Sequence, residues 1–166
     1  MKSKLFGVFL AGVLCLGIGS TLMAADDTST VTVSVVAIDA LNVTDGGTII
    51  LDQVNGDYLT GANDTTARLS YTHNSATNRE IVASVTNIAG GATQDITLDV
   101  GVAGGAGLAN ILNAGTPVAT PPVVWSNIAA GAISDAVVTY DASATASGTL
   151  AGDYTITVTF TSQDAS

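Results

Sequence analysis

Apolar and polar residues take turns along much of this chain. Tyr154, Ile156, Val158 and Phe160 alternate with Thr155, Thr157, Thr159 and Thr161. A period of two is the strand period, so the first set lines one face and the threonines the other. The same rhythm predicts a strand from Thr30 to Val35, with Val31, Val33 and Val35 on one side. It predicts strands at 67–73 (Leu69, Tyr71, His73), 79–86 (Ile81, Ala83, Val85) and 96–102 (Ile96, Leu98, Val100, Val102), and a further one at 135–140. Thr48–Leu51 reads as a short buried strand, Tyr58–Leu59 as a shorter one, and Val123–Ser126 as a strand that carries Trp125, the single tryptophan.

Turn chemistry separates these runs. Asp45-Gly46-Gly47, Asn74 to Asn78 and Asn87 to Ala92 are dense in residues that bond their own backbone or tolerate positive φ. The strands at 67–73 and 79–86 read as a hairpin around Asn74–Asn78. The segment 101–122 is least regular; Leu108, Ile111 and Leu112 show helical spacing closed by Gly115, which predicts one or two turns of helix between sheets. An echo links 87–95 with 127–135: six of nine positions agree at an offset of 40. Its plain meaning is two similar strand-turn-strand corners at equivalent places in two sheets.

The rhythm predicts an all-β domain, an Ig-like Greek-key β-sandwich of about seven to nine antiparallel strands. Gly152 precedes Tyr154 at the start of the last strand. This resembles the tyrosine corner of Greek-key sandwiches, in which the phenol bonds back to the main chain, here near Leu150.

The first residues follow another logic. Lys2 and Lys4 precede an apolar run from Leu5 to Ile18, and small residues lead up to Asp26-Asp27. That is the layout of a secretory signal peptide over 1–24; the apolar run is shorter than the roughly 20 residues a membrane span needs. The expected destination is outside the cell or on its surface, with the periplasm as the other compartment. Taking 24 residues from 166 leaves 142, suited to a single domain over 25–166. Cys15, the one cysteine, leaves with the leader, so the mature domain must be held by pairing and burial alone. Loss of Lys2 and Lys4 takes the formal net charge from −10 to −12. Such a surface repels nucleic acid and anionic lipid.

Candidate chemistry is sparse. His73 is the single histidine, at the end of a strand beside Asn74, where a solvated turn residue is the plain expectation. No G-x-S-x-G elbow accompanies it, and the chain is read as no enzyme and as needing no cofactor. Asp45, Asp52, Asp57 and Asp64 lie within 20 residues and offer the hard oxygens that calcium favours, although turns use the same residue types. Tyr58 is the aromatic freest to stack on a sugar ring, and Trp125 is expected in the core. Asn42-Val-Thr44 and Asn63-Asp-Thr65 match the glycosylation triplet. Val31, Val33 and Val35 lie behind a polar lead and can pair within their own sheet or with the open edge of a neighbouring subunit.

The leader, the Val-Thr-Val-Ser-Val-Val-Ala-Ile run at 31–38 and the Leu-Ala-Gly-Asp-Tyr-Thr-Ile-Thr-Val-Thr-Phe finish at 150–160 resemble small prokaryotic surface β-sandwich proteins: fimbrial-type and spore-coat-U-like subunits, and WxL-type cell-surface domains. The likeness implies a non-enzymatic surface, matrix or fibre component that works through self-association or a cell-wall or glycan partner. Trp125 is followed by Ser126-Asn127 rather than by the WxL leucine, and the mature chain lacks the cysteine pair common among the fimbrial kinds. The other reading is an extracellular carbohydrate- or calcium-dependent binding module.

Overall fold

A computed structural model describes residues 31–44, 46–90 and 94–166. The expected leader at 1–24 with Cys15, the polar lead to Thr30, Asp45 and the middle of the 87–95 echo lie outside the described residues. The chain divides into Met1–Ser34 and Val35–Ser166. All the described strands and the described core belong to the second unit.

That unit is all-β. The described residues hold eleven strands, more than the seven to nine expected: β1 Asp39–Thr44, β2 Leu51–Asn55, β3 Tyr58–Gly61, β4 Arg68–His73, β5 Arg79–Ala89, β6 Ile96–Val102, β7 Ala109–Asn113, β8 Thr116–Pro117, β9 Val123–Ile128, β10 Gly131–Thr145 and β11 Thr155–Asp164. The larger sheet runs β1-β4-β10-β6-β7-β8, with β3 also on β10 and β2 on β3; the smaller is β11-β5-β9. Neighbours are antiparallel throughout.

β10 is the spine of the larger sheet. Its first half pairs β4, while Val138–Ala144 pairs β6 and Ser143–Thr145 pairs β3. A bulge between Ile133 and Ala136 lets one strand serve these partners. Asp135 takes φ 54 there, and its N–H donates to Ser70 Oγ at 3.2 Å. Asp tolerates this left-handed conformation better than a branched residue would.

The core is drawn from both sheets. Leu69 and Tyr71 of β4, Ile81 and Ala83 of β5, the β6 row Ile96, Leu98, Val100 and Val102, Ile111, Leu112, Val124 and Val138 are buried. Period-two spacing accounts for the rows on β4, β5 and β6. On β11 the inward row Ile156, Val158 and Phe160 is half-buried and packs against this core, with the threonines outward. The Tyr154 hydroxyl donates to the Leu150 carbonyl at 2.5 Å, which is the tyrosine-corner contact read from the sequence.

Several local expectations are corrected. β4 and β5 are not a hairpin: β4 belongs to the larger sheet and β5 to the smaller, so Asn74–Asn78 crosses between sheets. Both strands alternate, and alternation gives the face but not the partner. The helical spacing at 108–112 is strand β7, since Leu112 pairs Leu98 and Asn110 pairs Asp99 across a register shift. Gly115 closes a β-turn instead: Ala114 and Gly115 take φ 44 and 71, a two-residue connection to β8. Thr48–Leu51 is not a buried strand; Ile50 is exposed and pairing begins at Leu51. The valine run before β1 forms no strand over its described residues, 31–38.

The echo at 87–95 and 127–135 has a structural meaning. Both segments carry the chain from the smaller sheet to the larger, β5 to β6 and β9 to β10. β5 neighbours β9 and β6 neighbours β10, so the two segments link neighbouring strands of one sheet to neighbouring strands of the other.

Candidate functional site

The segment leading into β1 combines strand chemistry with an absence of pairing. Val31, Val33, Val35 and Val36 are 76–80% exposed, and Ile38 is exposed as well. Four nearly bare valines are unusual, because burying each is worth about 1.5–3 kcal/mol. The base of this segment is fixed. Asn74 donates from its main-chain N–H to the Ile38 carbonyl at 3.2 Å. Its side chain accepts from the Ile38 N–H at 2.7 Å and donates to the Val36 carbonyl at 2.7 Å. β1 pairs β4 with Asp39 opposite His73, so Ile38 falls opposite Asn74. The Asn74 amide thereby stands in for the next rung of a ladder whose partner strand has turned away.

One residue later a polar knot ties the two sheets together. Arg79 of β5 donates to Asp39 of β1 at 2.6 Å and to Asp164 of β11 at 2.5 Å. Ser162 Oγ donates to both Asp39 carboxylate oxygens, at 2.8 and 3.0 Å, and Thr77 Oγ1 donates to Asp164 at 3.1 Å. Burial works against ionisation of Asp39, but Ser162, the Tyr71 hydroxyl and Arg79 outweigh it and hold the carboxyl below the usual carboxylate range. The Arg79 hydrogen bond, with Thr77, lowers Asp164 likewise. The Tyr71 hydroxyl and Asp164 stabilise the guanidinium and raise its pKa. The Tyr71 hydroxyl reaches this knot without a hydrogen bond of good geometry.

Beside β1, at the other edge of this surface, is β11. Among the described residues it is the terminal strand of the smaller sheet and pairs β5 alone. From Thr155 to Gln163 it carries no charge and no proline.

His73 is corrected from a solvated turn residue to a buried one, 2% exposed. It is the next inward place after Leu69 and Tyr71, and its ring stacks on Tyr71 with centroids 5.3 Å apart. Nδ1 accepts from the Ser75 N–H at 3.3 Å, which leaves Nε2–H to donate to the Ile128 carbonyl at 3.2 Å. Main-chain groups thus engage both ring nitrogens, and the ring joins the two crossings at Asn74–Asn78 and after Ile128.

The calcium candidates are dispersed in their roles. Asp52 is exposed on β2. Asp57, in the β2–β3 turn, accepts from the Ser147 N–H and hydroxyl. Asp64 is buried, bridges Tyr140 through the main chain, and accepts from the Thr66 N–H at 2.9 Å. Its other carboxylate oxygen has no hydrogen-bond partner among the described residues and lies against Gly47, where any Cβ would collide with it. Burial and the Asp64 charge raise the pKa of Tyr140. Asp45 lies outside the described residues. Among the described residues no three His, Cys, Asp or Glu side chains approach closely enough to share a metal ion.

Tyr58 is 62% exposed beside that turn, as its sequence context suggested. Trp125 is half-buried: its ring edge lies over Gly104 and the rest packs on the core. Asn42 is exposed on β1, and Asn63 is exposed before Asp64. Sequence reasoning missed Asn74 and Arg79, the two residues that fix the base of the valine segment. Asn74 carried a signal in its place at a strand end; Arg79 is one of two arginines in a chain of 14 acids and had to find an acidic partner.

No protein-family model, curated protein or solved structure matches the chain. Among the described residues no helix is long and apolar enough to cross a membrane.

Proposed function

We propose that the chain is a secreted, non-enzymatic β-sandwich of the immunoglobulin-like Greek-key kind, serving as a surface, matrix or fibre component. It associates with copies of itself by main-chain strand addition. The observation that carries this reading is the valine segment before β1: alternating, almost fully exposed, in no strand, and held at its base by Asn74. A segment with the pattern of a strand and no ladder is a donor for another sheet's edge. The two crossings between sheets and the tyrosine corner support the Greek-key assignment.

A second reading, a carbohydrate- or calcium-dependent binding module, is favoured by exposed Tyr58 beside Asp57 on the β2–β3 hairpin. Glycan binding that is lost in Tyr58→Ala would favour it over assembly.

Sedimentation velocity on the exported protein tests the first reading. The wild-type chain is expected to form higher species with rising concentration, and Val33→Asp/Val35→Asp to run as a monomer of unchanged melting temperature. A wild-type protein that stays monomeric at every concentration refutes strand addition.

A further inference from the structure

The strand-addition reading leaves open which edge receives the donor. We infer that the valine segment of one copy adds to the free edge of β11 in a second copy. The inference rests on that reading and narrows it to one surface.

The sheet edges are not equally available. Natural edges are guarded by charge, proline, bulges, shortness or a covering loop. β8 is two residues long and ends in Pro117. The edge of β9 is covered by the 103–107 loop, whose Ala106 N–H donates to the Val124 carbonyl at 3.0 Å. β2 is five residues, carries Asp52 and is interrupted by a register shift beside it. β1 is six residues and opens on Asp39, which is occupied in the Arg79 knot. β11 carries no charge and no proline over Thr155–Gln163; its pairing with β5 shifts register between Thr157 and Val158, with the extra residue, Thr86, on β5; and at ten residues it is the longest of the described edge strands. Its inward row Ile156, Val158 and Phe160 packs on the core yet stays half-buried, and among the described residues no strand pairs its outer side.

The donor suits this edge. Val31, Val33 and Val35 repeat at the spacing of Ile156, Val158 and Phe160, so a paired segment sets its valines beside that row and extends the apolar face by one strand. Thr32 and Ser34 then join the outward threonines.

The occupant is a second copy rather than the same chain. Ile38 continues the β1–β4 register, so Val36–Ile38 prolongs the line of β1 past the end of β4. The Ser162 end of β11 meets Asp39 at that same level. To lie along its own β11 the chain must reverse between Val36 and Asp39, which releases both side-chain bonds of Asn74. The neighbouring copy's edge can be reached with the clamp intact. Each copy then offers one donor and one acceptor at different places, a head-to-tail contact that propagates unless it closes into a ring.

Cysteine cross-linking tests this in a Cys15→Ser background. Ser34→Cys protein is mixed with Thr157→Cys, Thr159→Cys or Thr161→Cys protein, a panel that covers alternative registers on the outward face. Opposed residues on paired strands lie within disulfide reach. A covalent heterodimer with at least one β11 variant, and none with Asn55→Cys on β2 or Asn42→Cys on β1, is the expected result. Cross-linking to the β2 or β1 controls in place of β11 overturns the inference and leaves strand addition standing. Ring closure within a single chain carrying both Ser34→Cys and Thr159→Cys, at high dilution, also overturns it. Absence of association in sedimentation together with absence of every cross-link removes both the inference and the reading beneath it.

Discussion

The turn between β7 and β8 places two residues of opposite consequence side by side. Ala114 has φ 44 and Gly115 has φ 71, so both central positions of a two-residue hairpin loop lie in the left-handed region. That is the loop type in which Asn-Gly is preferred, because Asn bonds locally and Gly has no Cβ to clash. Alanine has neither advantage and bears about 1 kcal/mol of strain there. Ala114→Asn is therefore expected to stabilise the protein by about 1 kcal/mol, which raises Tm by about 3 °C for a chain of this size. Ala114→Gly removes the same strain but frees the unfolded chain by about 0.5–1 kcal/mol, so it should be close to neutral. Gly115→Ala has the reverse sign. Beyond the positive φ, a Cβ at Gly115 collides with the carbonyl oxygen of Gln94, a buried residue whose side chain accepts from the Leu150 N–H at 3.0 Å. A backbone obstacle cannot rotate away, and the expected loss is at least about 2 kcal/mol. Urea unfolding followed by Trp125 fluorescence and far-ultraviolet dichroism, at one fixed protein concentration, gives all three values. An Ala114→Asn protein less stable than the wild type, or a Gly115→Ala protein equal to it, would show that the connection is not built this way.

Tyr154→Phe removes the hydroxyl that donates to the Leu150 carbonyl and leaves the ring in place; a loss of about 1 kcal/mol is expected in the same unfolding assay. In acid the Arg79 knot should fail. Asp39 and Asp164 both have folded pKa values below their ordinary 3.8, so their contribution is complete above that value and is lost as pH falls through the lower folded values. The urea midpoint is expected to be flat from about pH 7 to 5 and to decline below about 4, and an Asp39→Asn/Asp164→Asn protein should show a shallower acid decline.

Much of the fold was legible wherever one face of a strand is buried. The β6 row and the threonine-rich β11 could be read because a one-residue slip would turn every apolar side chain to water. The tyrosine corner was legible because it depends on residues four apart in sequence. What failed was pairing. β4 and β5 alternate as a hairpin would, yet their partners lie elsewhere, β10 for one and β11 for the other, and nothing local encodes a partner so distant. Leu108, Ile111 and Leu112 misled because a five-residue window fits both periods; Asn110 bonding Asp99 across the sheet decided for strand. His73 was misjudged from its neighbour Asn74 when its own place in the alternation gave the better guide. Of the candidate site, the alternating valines were visible, read as a strand from Thr30 to Val35 that the described residues 31–38 do not form. Their exposure and the Asn74 clamp were not, since both depend on where β4 ends in space.

The pairing of β5 with β11 also governs the order of events during folding. Arg79 and Asp164 meet across 85 positions of chain. A polypeptide emerging from the ribosome completes β4, β5 and β6 well before β9, which pairs one side of β5, and long before β11, which pairs the other. The smaller sheet can therefore close only after translation has passed the last strand, and until then the flank of β5 that β11 will pair keeps its main-chain N–H and C=O groups unpaired. Slow, late consolidation is the kinetic signature of such distant pairings, and any cell that makes this protein has to shelter that flank in the interval.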